Sequence, residues 1–272
     1  MRTRILVGVT LALMFLAMMY FGGVVQVVLF SVAAALCVYE IRRVFLAKEI
    51  KPFVIPAYFF AVSYYAITKY LGIYWILLLL VFGIMAIIFE RIFNQKRTND
   101  DVMAAIFIFI YPLSFFLCMA LTDGILSHSL SRTAMLMVFA APLLGDTFAY
   151  FIGVFFGKHK LRPEISPKKT IEGSIGGLAG GILAGLAIFF LQGLWSQGND
   201  LRIVSLLVLG LVCSIVGQAG DLFASTIKRW ANIKDFGTLL PGHGGMLDRI
   251  DSVLLCAPIV FLYFYGIHSY IR

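Results

Sequence analysis

Charge is what this chain has least of. Of its 272 residues only 13% are Asp, Glu, Lys or Arg, 61% are hydrophobic, and the mean hydropathy is +0.95. A soluble domain is about a quarter charged, so a water-soluble globular fold is excluded. Cysteine is scarce as well. Cys37, Cys118, Cys213 and Cys256 all lie in apolar runs and form no C-x-x-C pair. A disulfide framework and a zinc site are therefore not expected, and the four read as small buried hydrophobes. No alternating pattern of ~10-residue segments suggests a membrane barrel. No soluble basic domain or recognition module is present, so nucleic acid is not expected as a partner. Low-complexity segments and convincing internal repeats are absent too.

Long apolar runs are abundant. Nine of them, at 4–21, 24–40, 53–69, 72–89, 102–121, 132–156, 174–194, 202–224 and 252–270, approach the spanning length of ~20 residues. Without water at mid-bilayer their backbone groups must pair internally, which dictates helices. The expected fold is all-α: a polytopic integral membrane protein with about nine transmembrane helices. The first run follows Arg2 and Arg4 like a signal peptide, but lacks a small-x-small cleavage site and continues through Phe21-Gly22-Gly23 into the next run. It is expected to be a retained helix.

The loops divide the cations unevenly. Of the 22 Lys and Arg residues, all but Lys69, Arg132, Arg202 and Arg272 fall on the side of the N-terminus. The positive-inside rule puts that side in the cytoplasm and, after nine spans, the C-terminus outside. The net charge of +8 thus gathers on the cytoplasmic face, where anionic headgroups also attract it. The bilayer is expected to be the cytoplasmic membrane of a prokaryote-like cell.

Residues 1–122 read as scaffold, lipid-facing wall and possible homodimer contact. Glu40 and Glu90 each stand beside an arginine at a helix end, which suggests interfacial ion pairs. Asp100 and Asp101 open a span, where helix capping suffices. Residues 123–272 differ: polar groups enter the spans, and two cytoplasmic loops, 157–173 and 225–251, lengthen. Gly173, Gly176, Gly177, Gly180, Gly181 and Gly185 place small residues at helical spacing along one span, expected to make a close helix–helix contact. No strand precedes them, so they are not a nucleotide-binding glycine loop.

Four constellations carry chemistry. Asp146, in Gly145-Asp146-Thr147, lies about ten residues inside its span, roughly mid-membrane at 1.5 Å per residue. A carboxylate there costs about 2.5–3.5 kcal/mol unless it faces a polar cavity. It is either a hydrogen-bonded structural acid or a metal or substrate ligand. Next, Lys168 and Lys169 follow Ser166-Pro167 and precede a helix expected to start at Thr170. Two point charges beside free helix N–H groups suit phosphate. Third, Asp221, Ser225 and Lys228 are spaced i, i+4, i+7 on one helix face, and Arg229 follows. An acid deep and cations at the mouth suit a metal held below a phosphate. Fourth, Pro241-Gly242-His243-Gly244-Gly245 leads to Asp248, Arg249 and Asp251. The two acids are helical neighbours and offer hard oxygens suited to Mg²⁺. His128 and His268 lie towards the outer face and call for no special role, and His159 in the basic loop is undecided.

The run S-T-I-K-R, then K-D, then P-G-H-G-G-M-L-D-R-I-D across 225–251 closely resembles the signature of the phosphatidate cytidylyltransferases, the CDP-diacylglycerol synthases. The Asp146 region and I-S-P-K-K-T-I-E-G-S-I-G-G at 165–177 are similar to the same family's membrane core. The resemblance implies that CTP and phosphatidic acid give CDP-diacylglycerol and pyrophosphate with Mg²⁺, and leaves open one metal ion or a second beside it. On that basis Asp221, Asp248 and Asp251 are expected as metal ligands, with Asp146 as a fourth. Lys168, Lys169, Lys228 and Arg229 are expected on phosphates, Lys234 and His243 on the departing pyrophosphate. Ser166, Thr170, Ser225 and Arg249 complete the expected substrate contacts. Two rival readings are a CTP-dependent lipid-alcohol kinase and an ion-coupled secondary transporter using Asp146 and Asp221. No inverted repeat supports the transporter. The D-G-x-x-A-R pattern of CDP-alcohol phosphotransferases is absent.

Overall fold

The computed structural model describes Thr10, Leu13, Ala17, Met18 and residues 20–195, 201–239 and 244–271. Its helices are α1 (Gly23–Leu46), α2 (Ile55–Tyr70), α3 (Ile73–Phe93), α4 (Asn99–Ile108), α5 (Ser114–Ile125), α6 (His128–Phe156), α7 (Ile171–Gln192), α8 (Ile203–Trp230) and α9 (Leu247–Ile271). A π-type turn, Phe109–Leu113, joins α4 to α5 into one 27-residue pass, Asn99–Ile125. Pro112 lies in that turn, lacks an N–H, and the ladder breaks with Tyr111 at φ −135°, ψ 114°.

Among the described residues seven helices are long and apolar enough to cross a membrane. They match the expected runs from 24–40 onward, except 53–69. That run forms α2, whose 16 residues rise only about 24 Å. The expected first span, 4–21, lies largely outside the described residues. The integral membrane, predominantly helical class is as expected. Within that helical fold residues 160–170 add one short antiparallel hairpin of β1 (Lys160–Arg162) and β2 (Ser166–Thr170), pairing Lys160 with Thr170 and Arg162 with Ser166. Pro163 and Pro167 bar a helix through this loop.

The chain forms two compact units, Met1–Gly124 with Trp230–Ile250, and Ile125–Arg229 with Asp251–Arg272. In the first, a buried aromatic cluster forms the core: Phe30 stacks on Tyr65, Phe60 on Tyr64, and Phe60 meets Phe109 edge-on. The expected cap is present. Thr98 and Asp101 form a reciprocal capping box at the start of α4, and Asp101 Oδ1 also accepts the Lys51 N–H at 2.5 Å. Glu90 pairs with an arginine, Arg97 at 3.3 Å, rather than with its neighbour Arg91. Helix α3 buries only Ile76, Gly83 and Ile87, and its exposed face of Tyr74, Trp75, Leu78, Val81 and Phe82 suits lipid.

In the second unit the expected close helix contact is found, and it is double. The glycines of α7 are buried between α6 and α8. A Cβ on Gly180 would stand 2.5 Å from the Leu144 carbonyl oxygen of α6. One on Gly181 or Gly185 would stand 2.4 Å from the Gly210 or 2.2 Å from the Leu206 carbonyl of α8. Only glycine lets these backbones approach so closely. The four cysteines are free thiols, and Cys37, Cys213 and Cys256 are buried, as expected.

Candidate functional site

The close packing of α6, α7 and α8 decides which polar groups meet in the second unit. Gly220 admits α9 against α8: a Cβ there would be 2.6 Å from the Asp251 carbonyl oxygen. Asp146 of α6, Asp221 of α8 and Asp251 of α9 thereby come close enough to interact electrostatically. Ser252 serves two of them. Its Oγ donates to Asp146 Oδ2 at 3.1 Å, and its N–H donates to Asp251 Oδ1 at 2.8 Å. Ser225 Oγ donates to Asp221 Oδ1 at 3.4 Å, one helical turn along, as the i, i+4 spacing predicts.

Lys169 enters this group from the end of β2. Its Nζ is buried and lies 2.6 Å from Asp221 Oδ2, as an ion pair rather than a well-angled hydrogen bond. Lys228 also acts electrostatically on Asp251. Lys169 acts on Asp146 too, so the three acids and two cations are linked electrostatically. The donors are hard carboxylate oxygens of the kind Mg²⁺ takes. As placed, no three acidic, His or Cys side chains among the described residues come together in a grouping that could hold a metal ion.

Other expected residues have structural partners. Thr170 caps α7, its Oγ1 accepting the Gly173 N–H at 3.1 Å. Arg229 Nε donates to the Ile165 carbonyl at 3.2 Å and fastens α8 to the hairpin turn. Lys168 is exposed and Ser166 half-buried on β2. His159 proves to be a hairpin clamp, with Nδ1 2.6 Å from Glu172 Oε1, while the Lys158 and His159 N–H groups also donate to that carboxylate.

The first unit holds the other part of the signature. Gly244 has φ +84°, a left-handed value that favours glycine. Asp248, expected as a metal ligand, directs Oδ2 at backbone, accepting the N–H of Phe236 at 2.8 Å and of Gly245 at 2.9 Å. Lys234 and Arg249 are exposed. His243, with Pro241 and Gly242, lies outside the described residues.

Two features escaped the sequence. Gln218 and Ser174 join through their side chains, Gln218 Nε2 also donates to the Ser174 carbonyl at 3.2 Å, and Ser214 Oγ donates to the Gly177 carbonyl at 2.7 Å. This ladder ties α8 to α7 one turn from Asp221. Helical spacing of Ser214, Gln218 and Asp221 was its only signal. The second is Glu40. Expected to pair with an arginine at the interface, it is instead buried, and its carboxylate accepts the Met246 and Leu247 N–H groups. A contact across two hundred residues leaves no local pattern.

Membrane-spanning helices with carboxylates gathered among them, and a lysine ammonium buried against one of these acids, define a class of integral membrane proteins with a polar site inside apolar helices. The chain belongs to the Cytidylyltransferase family, whose sequence model matches residues 2–267. It is 32% identical over 275 residues to the phosphatidate cytidylyltransferase of Bacillus subtilis (strain 168), an alignment spanning 97% of each chain. Over 126 residues, 46% of each chain, it is 44% identical to the phosphatidate cytidylyltransferases of Staphylococcus haemolyticus (strain JCSC1435) and Staphylococcus aureus (strain COL).

Proposed function

We propose that this chain transfers the cytidylyl group of CTP to phosphatidic acid, releasing pyrophosphate and leaving CDP-diacylglycerol in the membrane for phospholipid synthesis. The observation that carries the reading is the family match over nearly the whole chain, in a molecule whose Asp146, Asp221 and Asp251 lie beside Lys169 within apolar helices. A phosphate oxygen of the lipid is already a nucleophile, so no Ser–His or Cys–His device is required. That oxygen forms a bond to the α-phosphorus of CTP while the bond to the bridging oxygen of the β-phosphate breaks, and its electron pair leaves on pyrophosphate. No proton need move in that step. The protein's work is positioning and charge stabilisation.

Lys169 and Lys228, beside the acids, are assigned to phosphates in transfer. Lys168 and Arg229, with Ser166, Thr170 and Ser225, shape and charge the approach. Lys234, His243 and Arg249 are assigned to the leaving pyrophosphate. Mg²⁺ takes one or two carboxylates beside waters and substrate phosphates, without a preformed cage of protein ligands; it is assigned to oxygens among Asp146, Asp221 and Asp251, where it would supply Lewis-acid polarisation of phosphoryl oxygens. Asp248 is assigned to holding the signature loop, because its Oδ2 already serves two backbone donors.

The membrane arrangement proposed with this activity has nine passes, the N-terminus and active site facing the cytoplasm and the C-terminus outside. Residues 1–122 serve as scaffold and 123–272 carry the transfer chemistry. A homodimer contact is assigned to the exposed face of α3, since the glycines of α7 are buried within their own unit.

The test is purified protein in detergent with phosphatidic acid, Mg²⁺ and labelled CTP. Lipid-dependent pyrophosphate release with cytidine label entering the lipid is expected. Release of CDP with γ-label in lipid would instead identify a lipid-alcohol kinase. Absence of any nucleotide turnover, beside an active control enzyme, would favour a transporter.

A further inference from the structure

Glu40 stands on the most buried stripe of α1, among Ala34, Cys37, Val38, Ile41 and Val44, and is itself only 2% exposed. A carboxylate in such surroundings is costly unless its oxygens are hydrogen-bonded. Both are: Oε1 accepts the Met246 N–H at 2.7 Å and Oε2 the Leu247 N–H at 2.8 Å. Asp248 Oδ2 takes the preceding N–H, that of Gly245, at 2.9 Å. Three successive backbone donors at the entry to α9 thus end on two carboxylates, one local and one from a helix some two hundred residues earlier. The loop is cut to fit. A Cβ on Gly245 would stand 2.5 Å from Glu40 Oε1, and one on Gly237 2.8 Å from the same atom. At those distances a Cβ would push the Glu40 carboxylate off its two N–H donors, and both sides of the loop are glycine where it passes.

We propose that Glu40 is a positioning residue for cytidylyl transfer: from α1 it fixes the turn Gly244–Leu247 and with it the first turn of α9, which carries Arg249, assigned above to the leaving pyrophosphate. The helix read as scaffold thereby sets the geometry of the signature loop. An arginine partner would have tied Glu40 to the interface. Two backbone N–H donors instead tie it to one chain conformation, since they cannot rotate away as a side chain can.

The catalytic arm of this inference rests on the cytidylyltransferase reading, and its structural arm does not. Glu40→Gln keeps the shape but faces one N–H with an amide NH₂, so one of the two bonds is lost. Amide hydrogen exchange of the peptide covering 244–250 should quicken by about tenfold or more in Glu40→Gln, as for loss of one buried bond, while peptides of α6 to α8 stay unchanged. In the transfer assay kcat should fall by roughly 10–100-fold, the usual range for residues that orient a site without touching the reactants, with the KM for CTP nearly unchanged. Gly245→Ala displaces the same carboxylate, so its effect and that of Glu40→Gln should not add in the double variant. Glu40→Asp should recover part of kcat. Wild-type exchange in Glu40→Gln overturns the holding role. Faster exchange with wild-type kcat, or full additivity with Gly245→Ala, overturns the positioning role. A wild-type protein that makes no CDP-diacylglycerol removes the function reading and the catalytic arm with it, and hydrogen exchange alone then decides whether Glu40 holds the turn.

Discussion

In the unit of residues 125–229 and 251–272, Asp146 and Asp221 are met by side chains: the Ser252 and Ser225 hydroxyls and the Lys169 ammonium. In the unit of residues 1–124 and 230–250, Glu40 and Asp248 are met by backbone N–H groups. The chemistry of the acids is the same, and the partners decide their use. Hydroxyls and an ammonium can turn to another ligand at little cost, so acids held by them remain available to a cation or a reacting phosphate. Backbone donors cannot turn without moving the chain, so acids held by them set loop geometry. Asp251 stands between the two, accepting the Ser252 N–H while Lys228 acts on it electrostatically.

The comparison breaks most sharply at Asp221. Asp221→Asn removes the charge facing Lys169 and weakens a set of three acids. Turnover should drop on the order of 10²–10³-fold, as when one preorganised electrostatic group is lost, and the Mg²⁺ concentration giving half-maximal rate should rise. Transfer assays with a Mg²⁺ titration measure both. Wild-type turnover with unchanged Mg²⁺ dependence would end the assignment of Asp221 to the metal. Amounts and thermal midpoint of the purified protein should hardly move, because Asn still fits the site.

A second contrast concerns spacing. Acids met by side chains on different helices depend on how closely those helices lie. Gly181→Ala puts a Cβ against the Gly210 carbonyl, a backbone atom that cannot step aside. Overpacking of this kind costs typically 1–3 kcal/mol. The variant should lower the thermal midpoint in detergent by several degrees and slow transfer as well, since α7 begins beside Lys169 and α8 carries Asp221. An unchanged midpoint would mean that the α7–α8 contact is looser than the glycines imply.

Next comes Asp248→Asn. One oxygen of Asp248 accepts both N–H groups, and the Asn carbonyl oxygen can do the same. A neutral acceptor gives weaker bonds than a charged one, by about 1 kcal/mol each, so turnover should stay within roughly tenfold of wild type. Should Asp248→Asn prove as damaging as Asp221→Asn, Asp248 is a ligand after all and the two units do not divide as described.

How much of this was legible beforehand follows the reach of each signal. Seven of the nine apolar runs, the glycine spacing, the Asp221–Ser225 turn and the capping box are local patterns that the structure repeats. The hairpin at 160–170 is not legible because its strands are short and basic, without the alternation of a buried strand, although Ser166-Pro167 disfavours helix there. The Lys169–Asp221 pair was legible only as two separate residues, one in a loop and one in a span. Glu40 was misread for the same reason in stronger form. Beside Arg42 and Arg43 it looks like an interfacial acid, and only the folded chain brings Met246 and Leu247 to it.

The smallest expected effect tests whether backbone-held acids matter only to structure when they lie away from the signature. Thr98 and Asp101 close the capping box of α4, and Asp101 also accepts the Lys51 N–H. In Thr98→Ala the Asp101 N–H loses its acceptor, whereas the bonds from Thr98 N–H and Lys51 N–H to the Asp101 carboxylate remain. Loss of such a cap costs about 1 kcal/mol, a few degrees or less in the thermal midpoint. Transfer at saturating CTP and phosphatidic acid should equal wild type, because this lock fixes a helix start that carries none of the assigned chemistry. A clear fall in kcat without a matching fall in midpoint would show that the start of α4 takes part in the reaction. The line between acids that hold the chain and acids that serve the chemistry would then have to be drawn residue by residue, rather than by the kind of donor they accept.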